Sequence, residues 1–161
     1  MEQFNKDQVR RIWQRVQGEK AEHTPHHPPE PCAGIPEAIV RELTCAATYT
    51  RLAKQFPQRI GNLLRKLARE EQQHAAILKG ICALSGGFYS PVRPMPAEKY
   101  TAEVLLRRCY AQKLQAIAEY EKRAADPAHG NVFQKLVQQE QAQCHILLQI
   151  IGSLGKNGMH P

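Results

Sequence analysis

Four stretches of the chain repeat apolar residues at the three- and four-residue spacing that lines one face of a helix. The first stripe holds Ile35, Ala38, Ile39, Glu42, Cys45, Ala46, Tyr49, Leu52 and Phe56; the second holds Ile60, Leu63, Leu64, Leu67, Glu71, His74, Leu78 and Cys82. A third runs through Leu105, Cys109, Lys113, Ile117, Tyr120 and Ala124, and a fourth through Val132, Phe133, Leu136, Glu140, Gln143, Cys144, Leu147 and Ile151. Ahead of them, Val9, Ile12, Trp13 and Val16 predict one short amphipathic helix within residues 3–18, which needs a surface to cover. The run from His23 to Pro31 cannot continue that helix, because proline removes a donor and restricts its predecessor. The predicted organisation is an N-terminal helix and linker over 1–34, an all-α four-helix bundle over 35–155 and a tail over 156–161.

The two halves of the bundle read as copies. Gly61-Asn62-Leu63 returns as Gly130-Asn131-Val132, Lys66-Leu67 as Lys135-Leu136 and Glu71 as Glu140, each 69 positions later, while Tyr49 and Tyr120 lie 71 apart. About 16 non-helical residues join the halves; fully extended they span roughly 50 Å, enough to run the length of helices of about 30 Å. Two antiparallel hairpins joined by one long crossover satisfy that arithmetic.

Polar residues inside the stripes change the picture. A buried carboxylate without a partner is costly, so Glu42, Glu71 and Glu140 call for a counter-charge or a proton. In Glu71-Gln72-Gln73-His74 a carboxylate and an imidazole stand one turn apart on one helix face, where both can grip one cation. The segment Glu42 to Tyr49, with its tyrosine seven residues after the glutamate, resembles the first-helix motif of bacterioferritins and rubrerythrins, and Glu71-x-x-His74 resembles their second. The resemblance covers residues 35–154 and implies a ferritin-like bundle in which helices one and three each give a Glu and helices two and four each give ExxH, together holding two irons.

This chain departs from that pattern twice. Aligned on Tyr120, the third-helix glutamate is Lys113; aligned on Glu140, the fourth-helix histidine is Gln143. His145 lies about 140° around its helix from Glu140 and cannot stand in, and Glu119 and Glu121 fall off the face of Lys113. Exchanging a carboxylate for an ammonium adds two positive charges, the same as one divalent ion. Two arrangements follow. One is a mononuclear site of Glu42, Glu71, His74 and Glu140 holding one divalent iron, manganese or zinc ion per chain. The other is an empty site closed by ion pairs around Lys113, with one carboxyl protonated.

Helix directions also bring Cys45, Cys109 and Cys144 to one turn from the site on the same side, as a thiol layer or as small apolar filling. Tyr49 and Tyr120 fall two turns beyond the ligands and are expected to pack with a buried hydroxyl hydrogen bond. The five cysteines are odd in number and widely spaced with no CxxC pair, so the expectation is reduced thiols, no disulfide framework and no rubredoxin-type iron centre.

The net charge is +7, and all the excess falls after Gly34, since residues 1–34 carry five basic and five acidic side chains. Scattered surface Lys and Arg explain it; no basic tail or aromatic-basic interleaving points to nucleic acid. No apolar run nears the roughly 20 residues that cross a bilayer and no signal-like segment opens the chain, so a cytoplasmic protein is expected. Functionally, the pattern leaves an oxidoreductase acting on peroxide or oxygen species beside a non-catalytic binding or assembly module. The N-terminal helix suggests a homodimer interface.

Overall fold

The computed structural model describes residues 32–87 and 100–157 and forms the four expected helices: α1 Ile35–Leu52, α2 Gln58–Leu84, α3 Ala102–Arg123 and α4 Gly130–Asn157. The expected N-terminal helix, the His23–Pro31 linker and residues 88–99 of the crossover lie outside the described residues. α1 packs chiefly on α2 and α3 on α4, with lighter contacts from α1 to α3 and from α2 to α4. These four seams close a bundle of two hairpins.

Local chemistry sets the helix ends. Pro36 sits in the first turn of α1, where its missing N–H goes unused. Thr101 caps α3 by accepting from Val104 N at 3.4 Å, and Lys122 and Arg123 face the negative end of the same helix. Asp126 Oδ1 accepts from Ala128 N at 2.7 Å and His129 N at 3.0 Å, tightening the turn into α4. α2 ends at Gly86, whose φ of 75° belongs to the left-handed region that glycine enters without strain.

The repeated Gly-Asn pair has a structural reason. A Cβ at Gly61 would lie 2.8 Å from Ala53 O, and one at Gly130 would lie 2.5 Å from Ala124 O. In both hairpins the start of the second helix therefore presses against the carbonyl that ends the first, a distance only glycine permits.

The core is two apolar blocks. One gathers Ile35, Ile39, Leu78, Tyr120, Phe133 and Leu136; the other gathers Tyr49, Leu52, Leu64, Leu67, Leu106 and Leu147. A buried polar set, Glu42, Glu71, His74, Lys113, Glu140 and Gln143, supplies one or two residues from each helix between the flanking apolar turns.

The expectation that all five cysteines are reduced is corrected: Cys32 and Cys82 form a disulfide across 50 residues, with Cα atoms 5.2 Å apart. Spacing along the chain hid this pair, because the turn before α1 meets the end of α2 only once the hairpin closes. Gly87 N bonds Cys82 O at 2.9 Å, and a Cβ on Gly87 would sit 1.9 Å from Cys32 Sγ, so glycine leaves the bridge its room. Disulfides persist mainly in oxidising compartments. Among the described residues no helix is long and apolar enough to cross a membrane.

Candidate metal centre

All four residues predicted as ligands come together. Glu42 from α1, Glu71 and His74 from α2, and Glu140 from α4 are buried, and each offers a donor atom within 4.8 Å of the others. His74 Nδ1 points at this group, 2.8 Å from Glu140 Oε1 and 3.8 Å from Glu42 Oε2. Its other nitrogen, Nε2, donates to Gln139 Oε1 at 3.1 Å, which fixes the ring and turns Nδ1 inward. Glu71 Oε1 is buried with no hydrogen-bond partner. A carboxylate oxygen left over beside an inward imidazole nitrogen and two further carboxylates fits one divalent ion.

A second ion does not fit. Lys113 Nζ from α3 donates to Glu71 Oε2, lies 2.7 Å from Glu140 Oε2 and 3.5 Å from Glu42 Oε2, and so fills the space between the carboxylates. Gln143 takes no part in a ligand set: its Nε2 donates to Glu70 Oε2 at 3.1 Å and its Oε1 is buried without a partner.

The supporting residues obey the internal repeat. Gln139 holds His74, and Glu70 holds Gln143; Glu70 and Gln139, like His74 and Gln143, lie 69 positions apart, so each pair is the image of the other. The tyrosines obey it too, since Tyr49 and Tyr120, like Glu42 and Lys113, lie 71 apart. Tyr120 donates to Glu42 Oε1 at 2.5 Å, so the tyrosine expected two turns away reaches back and touches a ligand directly. Tyr49 stands in the same relation to Lys113, but an ammonium accepts nothing. Its hydroxyl is buried without a hydrogen bond, correcting the expectation that both tyrosines are paired.

Charges in the cluster sort as the geometry requires. Burial alone would raise Glu42, but Lys113 and the neighbouring Glu71 and His74 hold it well below its usual value. Burial raises Glu71 well above its usual value against the pull of Lys113, and repulsion from Glu42 and Glu140 adds to the rise. Burial lowers His74, yet hydrogen bonds to Glu140 and Glu42 and their charges outweigh it and place the imidazole at about 9. Lys113 is likewise opposed by burial and raised well above its usual value by three carboxylates. With no ion bound, the group holds Lys113 and His74 as cations, Glu42 as an anion and Glu71 as the acid.

Only part of the expected thiol layer assembles. Cys45 and Cys109 are buried in the same apolar block as Tyr49, whereas Cys144 lies outside it. The Cys45 thiol donates to Gln112 Oε1 at 3.0 Å and interacts with Cys109 in that block. On the outer side of Glu42, Arg41 grips Glu119 with Nη2 2.6 Å from Oε2, tying α1 to α3 next to the cluster. The sequence pattern assigned Glu119 no role, because it lies off the buried stripe.

The family model described as Rubrerythrin matches residues 35–147, which spans α1, α2, α3 and most of α4. No curated protein matches the chain.

Proposed function

The chain belongs to the rubrerythrin family, and from that premise we propose that its bundle is a one-ion variant, a mononuclear iron or manganese protein acting on peroxide or superoxide. The carrying observation is the asymmetry of the cluster: Glu42, Glu71, His74 and Glu140 converge as one donor set, and Lys113 Nζ stands where further ligation would be needed. When bound, a redox-active divalent ion supplies electron transfer and Lewis-acid stabilisation of a reduced oxygen species.

The chain's own residues do the rest. Gln139 keeps the His74 Nδ1 lone pair available by taking the Nε2 proton as a hydrogen bond. Tyr120 fixes one oxygen of Glu42 and leaves the other facing His74 and Lys113. Lys113 keeps a permanent positive charge beside the donors, favouring approach of an anionic oxygen species. Iron and manganese suit this oxygen and imidazole set; zinc would bind it without redox chemistry.

A metal count decides the matter. Protein purified without chelator and loaded in turn with ferrous, manganous and zinc ions is expected to hold close to one ion per chain, with peroxide consumption lost in Glu71→Ala. A count of two would refute the assignment of Lys113. A count near zero would favour the other reading, a non-catalytic module, which one observation supports: Lys113, His74 and Tyr120 already partner the three carboxylates.

A further inference from the structure

One polar group in the block next to the cluster is used by nothing described so far. Cys45 lies one turn beyond Glu42 on α1, Cys109 lies one turn before Lys113 on α3, and α1 and α3 pack against each other. Both thiols are buried and interact with each other, and the buried, unpartnered hydroxyl of Tyr49 lies against the same pair. We propose that Cys45 and Cys109 are a redox-active dithiol that closes to a buried disulfide at the expense of hydrogen peroxide. The proposal does not rest on a metal ion in the neighbouring cluster.

The geometry makes the two sulfurs unequal. Cys109 has Cys45, Tyr49 and Thr48 about it and the Lys113 ammonium one turn away. The Thr48 hydroxyl is already spent on Thr44 O at 2.9 Å, so the unpartnered Tyr49 O–H is the donor left for a thiolate at this sulfur. Its interaction with Cys45 lowers Cys109 below the usual thiol value, overcoming burial with help from Tyr49 and Lys113. Cys45 moves the other way, raised well above it by its interaction with Cys109 and by burial. The thiol that ionises more readily is the attacking one, and its neighbour in the same buried block is placed to resolve the product once it gives up its proton.

The chemistry balances in two steps. The Cys109 sulfur attacks one peroxide oxygen; the S–O bond forms, the O–O bond breaks, and the leaving oxygen departs as water carrying the Cys109 thiol proton. The Cys45 sulfur then attacks the Cys109 sulfenic acid; the S–S bond forms, the S–O bond breaks, and the hydroxyl leaves with the Cys45 proton as a second water. Overall, two thiols lose two electrons and two protons, and one hydrogen peroxide becomes two waters. The two electrons come from sulfur, so the step needs no second metal.

Cys144 supplies an internal control, because it is buried near the cluster but lacks the second thiol, and burial and the charge of Glu140 raise it above its usual value. The full chain, freed of metal by chelation, would be treated with one equivalent of hydrogen peroxide, then denatured, alkylated and digested without reduction. The expected product is a peptide joining Cys45 to Cys109, formed at least about tenfold faster than any modification of Cys144, with the Cys32–Cys82 link unchanged. Cys45→Ala should stop at a sulfenic acid on Cys109, captured by dimedone, and Cys109→Ala should leave Cys45 reduced. Cys45 and Cys109 alkylating to the same extent as Cys144 in the unmutated chain would overturn the proposal, and this arm needs no variant to fold. Oxidation of Cys45 at an undiminished rate in Cys109→Ala would overturn it as well. A metal count of zero, with the disulfide still forming, would sink the mononuclear reading alone.

Discussion

Two half-sites related by the internal repeat face each other in the middle of this bundle, and they have come to opposite states. Around the first, Glu42 is held by Tyr120, His74 is held by Gln139, and a buried carboxylate oxygen of Glu71 is left over for a cation. Around the second, the glutamate has become Lys113 and the histidine Gln143, Tyr49 has no acceptor, and Glu70 holds an amide instead of an imidazole. The lesson is that one half-site can give up its ligand positions without leaving a void of charge. The two substitutions remove both terminal donors of one position, and the lysine restores the lost positive charge within the same carboxylates.

The most direct way to break the asymmetry is at Lys113. Replacing it by methionine leaves three buried carboxylates with one fewer cation and is expected to destabilise the metal-free protein by roughly 3–5 kcal/mol, read as a drop in urea midpoint. The double change Lys113→Glu with Gln143→His should instead make the second half-site match the first and raise the ion count from one to two per chain. A count that stays at one would show that the second half-site is lost in more than its ligands.

Protonation sharpens the comparison next. The folded His74 sits at about 9, above an unfolded value near 6.5. Its contribution to metal-free stability, on the order of 3 kcal/mol, is therefore complete below about pH 6.5 and lost as pH rises through about 9. Denaturation midpoints between pH 6 and 10 should fall accordingly, and His74→Gln should flatten the curve.

The tyrosines test the same asymmetry on a smaller scale. Tyr120→Phe removes a hydrogen bond to a buried carboxylate and is expected to cost about 1.5–3 kcal/mol. Tyr49→Phe removes a hydroxyl that bonds to nothing and should be close to neutral. Equal losses would mean that Tyr49 has an acceptor after all. Smallest is the pair of amide supports: Gln139→Ala should weaken ion binding about 10- to 100-fold by freeing the His74 ring, whereas Glu70→Ala should leave the affinity unchanged. Calorimetric titration with manganous ion separates them.

Much of this was legible in the chain. The four stripes placed the helices, and the polar interruptions Glu42, Glu71, His74, Lys113, Glu140 and Gln143 were all found buried. Gln139 and Glu70 were not legible, because each is a half-buried polar residue next to a glutamate, a position that usually faces water. The repeat contained the clue, since the two lie 69 apart, but equivalence in sequence does not reveal what a side chain across the bundle will touch. The reach of Tyr120 was missed for a similar reason: a ring two turns along one helix can come level with a glutamate on its antiparallel neighbour. Cys32 lies before the first stripe, so no periodicity pointed to Cys82.

Lys113 differs from a bound ion in one further respect. A bound metal is shared with the surroundings: it has an off-rate, competes with chelators and is scarce when supply is scarce. An ammonium on a side chain is synthesised with the protein and never dissociates. The share of the charge compensation that Lys113 supplies is therefore inherited at translation and does not depend on metal supply.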